Sequence, residues 1–221
     1  MFRTIAPLRR VVAAALFAGS MGFAATVASA QPATLNFNSL TDPEGLGIRP
    51  VANCYTEAGF RVTAVGVACS DELAFAVGSA DSPPFFPGSP ALFLNDPVAT
   101  IIEFTRVGGG LFSFTSIGLA PYLGAATTVS ITGLRPSAAS LFATFMLPAG
   151  GPVLTSFMLP TTFAGLSAVR LTAMNEFDEP LVLIDNVTFN ATVIPEPATV
   201  GLFAIGLLGV GAFARRRRAA S

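Results

Sequence analysis

The chain has 221 residues but no histidine, no lysine and no tryptophan, and only two cysteines and two tyrosines. The absence of histidine removes the commonest general base and the commonest side-chain metal ligand. Mechanisms that use a Ser-His-Asp triad or a Cys-His pair are therefore excluded. Two cysteines without histidine also cannot complete a structural zinc site within one chain.

The first thirty residues have the three parts of a secretory signal peptide. An arginine-containing start precedes the mostly apolar stretch Val11–Phe23, and Ala28 and Ala30 form a small-x-small cleavage site. We expect the Sec translocon to export the chain and signal peptidase to remove residues 1–30. The mature chain would then begin at Gln31.

A second long apolar stretch, Ala198–Ala214, contains no charged residue. As a helix it would be roughly 25 Å long, close to the thickness of a bilayer core, and it predicts one C-terminal transmembrane helix. Four consecutive arginines follow it, and the positive-inside rule keeps such a cluster in the cytoplasm as a stop. These residues are Arg215, Arg216, Arg217 and Arg218.

The segment before this apolar stretch reads Pro195, Glu196, Pro197. The two prolines fix their own φ angles and push their neighbours toward extended conformations. Glu196 would therefore stand on a stiff segment just outside the membrane. Such a segment suits recognition by an enzyme, and the alternative is a plain C-terminal anchor with a proline-rich spacer.

The order of motif, apolar helix and arginines over residues 193–221 resembles the PEP-CTERM sorting signal of Gram-negative bacteria. The resemblance implies recognition of Pro195, Glu196 and Pro197 by a membrane transpeptidase, an exosortase, which removes the helix and the basic tail. It also implies an exported protein that passes through an inner-membrane intermediate to the cell surface or the extracellular space.

The exported domain, residues 31–192, is acidic although the whole chain is nearly neutral. Residues 31–194 hold five of the twelve basic residues and twelve of the thirteen acidic ones, a net charge of −7. This charge would repel nucleic acid and anionic lipid, so we expect no nucleic-acid partner. About 160 residues suit one domain with a sizeable core.

The two cysteines, Cys54 and Cys69, lie in this exported domain. Two cysteines in an exported chain most often pair with each other. We therefore predict a structural disulfide rather than a reactive thiol or a metal site. Closing a loop of about 16 residues would stabilise the fold by about 3 kcal/mol.

The exported domain reads as short strands separated by Gly- and Pro-rich turns. Apolar and polar residues alternate in several segments, for example Phe112 and Phe114 with Ser113 and Thr115 between and after them. No long helical stripe interrupts them, so we predict an all-β, antiparallel β-sandwich of the jelly-roll type. The predicted strands are Thr34–Asn38, Gly59–Val65, Leu73–Val77, Ala91–Leu94, Val98–Arg106, Leu111–Leu119, Thr127–Gly133, Ser140–Leu147, Val153–Leu159, Leu166–Ala173 and Leu181–Asn190.

This layout resembles the exported domains of many PEP-CTERM proteins, which look like lectin or carbohydrate-binding jelly rolls. The segments that carry the resemblance are Leu35–Phe37, Glu57–Phe60, Phe112–Leu119, Thr127–Gly133 and Ile184–Val187. In jelly rolls similar to carbohydrate-binding modules, a late Asp ligates a structural Ca²⁺, which implies a calcium role for Asp185.

Asp42 and Glu44 would supply further oxygens for calcium if the first and last strands pair. The alternative is that Asp185 lies at a strand bulge and is satisfied by backbone N–H groups. We expect no other cofactor.

Acidic clusters at Glu176, Asp178 and Glu179, and at Asp71 and Glu72, offer the carboxylates that a glycosidase needs. The alternative, which we prefer for each cluster, is a solvated acidic turn. No trio of nucleophile, base and orienting residue is present, so we do not expect an enzyme.

Four aromatic residues are candidates for stacking on sugars: Tyr55, Tyr122, Phe85 and Phe86. The alternative for the two phenylalanines is that they plug an edge of the core. The preferred hypothesis is a structural or adhesive surface protein of the extracellular polysaccharide or biofilm matrix. A carbohydrate- or calcium-binding module is the alternative, and a polysaccharide hydrolase is the third hypothesis.

Overall fold

The computed structural model describes residues 31–40, 47–78, 80, 85–95, 99–175, 177, 179 and 181–191. These residues form two antiparallel β-sheets that pack face to face, which confirms the predicted all-β sandwich and fits a jelly-roll-like domain. The signal peptide, the sorting motif and the predicted transmembrane helix lie outside the described residues. Within these described ranges no helix has the length and apolarity to cross a bilayer.

Thirteen strands are described, with two short 3-10 helices at Asn38–Leu40 and Tyr122–Gly124. The strands are β1 Gln31–Leu35, β2 Ile48–Val51, β3 Tyr55–Glu57, β4 Phe60–Ala64, β5 Phe75–Gly78, β6 Leu92–Leu94, β7 Ile101–Arg106, β8 Phe112–Pro121, β9 Thr127–Leu134, β10 Leu141–Leu147, β11 Thr155–Met158, β12 Ala168–Asn175 and β13 Val182–Ala191.

The seven-stranded sheet has the order β11-β8-β13-β6-β5-β2, and β1 also pairs with β13. The six-stranded sheet has the order β10-β9-β12-β7-β4-β3. The first and last described strands are therefore neighbours, with Leu35 opposite Val187. Chain neighbours β10 and β11 form the outer edges of the two different sheets, because the chain crosses from one sheet to the other between them.

A group of phenylalanine rings joins the two sheets in the core. The ring of Phe189 on β13 stacks on that of Phe60 on β4, with centroids 4.2 Å apart. Phe104, Phe112 and Phe114 surround the same ring at 5.1 to 5.7 Å. All five side chains are at most 1% exposed, and burying each contributes about 1.5–3 kcal/mol.

The predicted alternation is confirmed where the sequence shows it most clearly. Phe112 and Phe114 are buried while Ser113 and Thr115 are half-buried. The same pattern holds on β9 and at the end of β13, where apolar residues enter the core and hydroxyl or amide residues face away from it. Period two follows because successive side chains of a strand point to opposite faces.

The first strand lies earlier than predicted, at Gln31–Leu35 instead of Thr34–Asn38. The backbone N–H groups of Asn36 and Phe37 donate to the Glu57 carboxylate, at 3.1 and 3.2 Å, and Phe37 has a φ of 53°. These contacts turn the chain out of the sheet. Strands β2 and β3 are too short to stand out in the sequence.

The outer face of the seven-stranded sheet is covered by loop residues. A second apolar cluster forms there around Phe93 and Leu183, and Phe85, Tyr122 and Leu154 pack against it. The ring of Phe85 lies 5.7 Å from that of Phe93 and 5.2 Å from that of Tyr122. Phe85 therefore covers an edge of the core, the alternative that the sequence left open for it.

The predicted disulfide between Cys54 and Cys69 is present, with Cα atoms 5.2 Å apart. Beside it the buried side chain of Asn53 holds the same loop without a covalent bond. Its Nδ2 donates to the carbonyls of Ala64, Val67 and Ala68, and its Oδ1 accepts from the backbone N–H groups of Cys54 and Ala64.

Replacing both cysteines, Cys54→Ser with Cys69→Ser, is expected to lower the free energy of unfolding by about 3 kcal/mol, because the unfolded chain loses its cross-link. Urea unfolding measures this loss. The native state should persist, since the Asn53 hydrogen bonds remain.

Wild type in a reducing agent is the matched control and should unfold at the same urea midpoint as the double variant. Equal midpoints for the oxidised wild type and the double variant would contradict a stabilising role for the disulfide.

Candidate functional site

The outer face of the six-stranded sheet presents exposed side chains from several neighbouring strands. Side chains that alternate with the core residues of β10, β9, β12 and β7 form it, and we call it the outer face. It comprises Phe142, Thr144 and Met146 of β10, Thr128, Ser130 and Thr132 of β9, Arg170, Thr172 and Met174 of β12, and Glu103 of β7.

Strand register aligns these side chains in rows. Phe142 lies opposite Thr132, which lies opposite Arg170, which lies opposite Glu103. Thr63 of β4 continues this row, which therefore crosses five strands. Because neighbouring strands lie about 4.8 Å apart, the row is roughly 19 Å long. The side chains of a row meet each other across the strands and can contact one extended ligand.

The charges of the outer face are paired. Arg170 Nε donates to Glu103 Oε2 at 2.7 Å, and the two side chains are 43% and 21% exposed. An exposed pair of this kind contributes about 0–1 kcal/mol to stability. Its larger effect is to hold the guanidinium on β12 in the middle of the face, where its other N–H groups are further donors.

Hydroxyl groups make up most of the rest of the outer face. Thr144, Ser130 and Thr172 form a second row across β10, β9 and β12. Each hydroxyl is a donor and an acceptor that rotates to suit its partner. The face therefore presents many adaptable hydrogen-bonding groups and little net charge.

One margin of the outer face is apolar and exposed. Phe142 is 75% exposed, Met146 79% and Met174 50%. Met146 and Met174 lie on either side of Thr128 in a third row. Aromatic and thioether side chains at solvent are typical of contact surfaces, and methionine adapts its shape to the ligand.

The outer face offers groups that can contact a ligand, but its residues do not include the pair of carboxylates that a glycosidase uses. A glycosidase places two carboxylates about 5 to 9 Å apart, and Glu103 is the one carboxylate among the outer-face residues defined above. It is already paired with Arg170. Across the described residues no group of three or more acidic or cysteine side chains is placed to hold a metal ion.

Asp185 lies at a bulge of β13, where the register with β8 shifts between Asp185 and Thr188. Its side chain is only 1% exposed. Ser89 Oγ donates to one carboxylate oxygen and the backbone N–H of Asn186 donates to the other, the latter at 2.6 Å. Burial raises the pKa of Asp185 above its ordinary value, the bonds from Ser89 and Asn186 oppose this, and the charge of Glu57 adds to it.

Calcium at Asp185 stays a prediction. Both of its oxygens have donors, and the oxygens of Glu57 accept hydrogen bonds from the backbone of Asn36 and Phe37 and from the Tyr55 hydroxyl. Among the described residues, Asp185 belongs to no group of three or more acidic or cysteine side chains that could hold a metal ion. Asp42 and Glu44, the other expected ligands, lie outside the described residues. Calorimetric titration of Ca²⁺ into the full chain tests the prediction.

The two tyrosines that were candidates for stacking on sugars make contacts within the fold. The Tyr55 hydroxyl hydrogen-bonds with Ser39 and donates to Glu57. Tyr122 packs between Phe85 and Phe93. Burial raises the pKa of both tyrosines. Phe86 is half-buried. None of these residues belongs to the outer face.

The described members of the predicted acidic clusters, Asp71, Glu72 and Glu179, are not outer-face residues either. Asp71 Oδ1 accepts from the backbone N–H of Leu73 in a surface turn, and Glu72 beside it is exposed. Glu179 accepts from the Asn175 side chain at 3.1 Å. Glu176 and Asp178 lie outside the described residues.

A cleft of about 430 Å³ lies beside the disulfide, lined by residues including Arg49, Pro50, Asn53 and Thr56. The amide of Asn53 is saturated by bonds to its own loop. The Asn53 amide is therefore already engaged and does not face the cleft as a free binding group.

Sequence analysis missed Phe142, Met146 and Arg170. In the segment 141–147 six of seven residues are apolar, so alternation does not reveal which side chains face solvent. Arg170 pairs with a residue 67 positions away, which no local pattern indicates. The available signal was a polar residue, Thr144, in the middle of an apolar strand.

The raised pKa of Asp185 makes stability depend on pH. Because the folded-state pKa of Asp185 lies above the ordinary value of 3.8, the protonated form of Asp185 stabilises the folded state. This stabilisation is fully present below pH 3.8 and is lost as pH rises through the folded-state pKa. The difference in unfolding free energy between wild type and Asp185→Asn should therefore shift against the wild type as pH rises from about 3 to 7.

Ser89→Ala removes an opposing hydrogen bond and should move this loss to higher pH. Urea unfolding at each pH measures both variants. A difference between wild type and Asp185→Asn that is constant over this range would contradict the assigned environment of Asp185.

The C-terminal segment of the chain is similar to a known sorting motif. Residues 193–218 match the family model described as the PEP-CTERM protein-sorting motif. The match includes Pro195, Glu196, Pro197 and the four arginines. It covers the segment predicted from the sequence and lies outside the described residues. A comparison with curated proteins found no match.

Several solved structures are similar to this chain at low identity and low TM-score. A DUF4465 family protein from Bacteroides ovatus is 9% identical over 72% of this chain and 98% of its own, with a TM-score of 0.45. The CBM22-1 xylan-binding domain of Xyn10C from Paenibacillus barcinonensis is 10% identical over 74% and 96%, with a TM-score of 0.35. TmCBM61, solved with beta-1,4-galactotriose, is 11% identical over 60% and 88%, with a TM-score of 0.36.

Such low identities and TM-scores do not identify a ligand or an activity for this chain. The sorting motif does indicate export. The chain carries a PEP-CTERM sorting motif at residues 193–218 and is therefore an exported protein.

Proposed function

We propose that the β-sandwich is a non-catalytic adhesive module that binds neutral polysaccharide of the extracellular matrix through the outer face. The observation that carries the proposal is the composition of that face. Rows of hydroxyl groups and one internally paired arginine lie beside an exposed aromatic ring and two exposed methionines. Sugars present both hydroxyl groups and apolar C–H faces, so they complement this mixture.

The charge of the domain supports a neutral rather than an acidic polysaccharide. Residues 31–194 have a net charge of −7, which repels polyanions. The one cation of the outer face is already paired with Glu103. Discrimination against uronate polymers therefore follows from electrostatics, while hydrogen bonds and ring contacts would provide the affinity.

Phe142→Ala is expected to weaken polysaccharide binding about tenfold or more, since losing an aromatic contact costs on the order of 2 kcal/mol. Affinity electrophoresis of the exported protein in gels that contain laminarin or hydroxyethyl cellulose measures the change. Gels with polygalacturonate should show no retardation of the wild type.

Met158→Ala is the matched control, because Met158 is 72% exposed but lies on β11 of the other sheet. Thr132→Val and Thr172→Val should weaken binding by removing hydroxyl groups, with Thr155→Val on β11 as their control. Equal mobility of wild type and all outer-face variants would refute the assigned face. Release of new reducing ends from either polysaccharide would refute the non-catalytic role.

For the sorting route, we propose that an exosortase recognises Pro195, Glu196 and Pro197 and removes the segment that follows. The match of residues 193–218 to the sorting motif supports this step. The product would be displayed at the cell surface or released into the matrix, where the outer face meets polysaccharide.

In a host that has an exosortase, the mature wild type is expected to begin at Gln31 and to end near residues 195–197. Glu196→Ala should instead retain Arg215–Arg218 in the membrane fraction, with Thr199→Ala as the control. Intact mass and C-terminal peptide mapping distinguish the two forms. A wild type that retains the four arginines would mean an ordinary anchor.

A further inference from the structure

Strand β10 is the outermost strand of the six-stranded sheet and has one described partner, β9. In an antiparallel ladder each residue directs its N–H and C=O to one side, so every second residue of β10 directs them away from β9. With seven residues, Leu141–Leu147, this edge is longer than the four-residue edge β11 of the other sheet.

The β10 edge lacks the features that normally keep strand edges apart. Residues 136–169 contain no charged residue, and β10 itself contains no proline. At the opposite edges of the two sheets, β2 carries Arg49 and Pro50, and β3 carries Glu57. Charges and prolines on edge strands prevent association, so the chain protects two edges and leaves β10 open.

The side chains of β10 complement themselves in an antiparallel arrangement. With a two-fold axis at the central residue Thr144, Phe142 lies opposite Met146 of the second copy, and the same contact repeats on the other side of the axis. On the core side, Ala143 lies opposite Phe145 of the second copy, a small residue against a large one. Phe142 and Met146, which are 75% and 79% exposed, would contact each other side by side across the strand pair, with their outward surfaces still at solvent.

Electrostatics favours this edge for contact between two copies. A domain of net charge −7 repels its own copy, so a homotypic contact is least opposed where no charge is present. The uncharged run between Arg135 and Arg170 supplies that place, and β10 is the longer of its two edge strands.

We propose that β10 pairs with β10 of a second copy, antiparallel about Thr144, and joins two six-stranded sheets into one continuous sheet. The pairing uses the strand edge, so the outer faces of both copies stay open on the same side and become continuous. This proposal does not depend on polysaccharide binding, and a protein that binds no polysaccharide would still dimerise.

The test uses the exported protein as purified from its host, with mass measured by light scattering and sedimentation equilibrium. Wild type is expected to be a dimer. Thr144→Lys and Thr144→Glu should each be monomeric, because like charges would face each other at the two-fold axis. An equimolar mixture of the two variants should restore the dimer, which a folding defect would not do.

Thr128→Lys adds the same charge to the neighbouring strand and should leave the dimer intact. Thr144→Cys should form a disulfide between copies, since directly opposed residues have Cα atoms about 4.5–5.5 Å apart, within disulfide range. Thr128→Cys should not.

Four results would overturn the proposal: a wild type that is monomeric at every soluble concentration, a dimer that Thr144→Lys leaves intact, a lysine–glutamate mixture that stays monomeric, or a different protein bound to β10 in stoichiometric amount. The second result would place the contact elsewhere, for example in the C-terminal segment.

Discussion

The packing of Phe189 between the two sheets is the contact on which the rest of the structure depends. Its ring touches Phe60 and Phe104 from one sheet and Phe112 and Phe114 from the other. With each of these rings inside, the neighbouring side chains on the same strands must point out. The core therefore determines which residues form the outer face. A shift of register by one residue would bury the hydroxyl groups and expose the rings.

The outer surface of one sheet is covered by loops and that of the other is exposed. We therefore place the proposed binding surface on the exposed sheet. Loop residues such as Phe85 and Leu154 cover the seven-stranded sheet with a second apolar cluster. The six-stranded sheet keeps its hydroxyl rows and exposed Phe142 at solvent. The disulfide and the Asn53 hydrogen bonds hold the loop beside β3, at one edge of this sheet. The β3 edge is therefore cross-linked and charged, whereas the β10 edge is open and uncharged.

The sequence predicted those features that depend on local pattern. Strands such as β9 and β13 alternate clearly, and the sorting motif is a linear signal that needs no folded context. The position of β1 could not be predicted, because Glu57, twenty residues away, ends it. Phe142 could not be distinguished from Phe145, because both lie in one apolar strand and only the sheet order shows which one faces solvent. The hydrogen bonding of the Asp185 carboxylate could not be predicted either, because one donor is Ser89, 96 positions away.

Backbone NMR of the exported protein titrated with laminarin oligosaccharides tests binding at the outer face most directly. We expect the amide chemical shifts to change on β9, β10 and β12, centred on Thr132, Phe142 and Arg170. Residues around Asp185 and the cleft at Asn53 should stay unchanged. Shifts centred on either of those places, or no shifts for any neutral oligosaccharide, would contradict a binding role for the outer face of the six-stranded sheet.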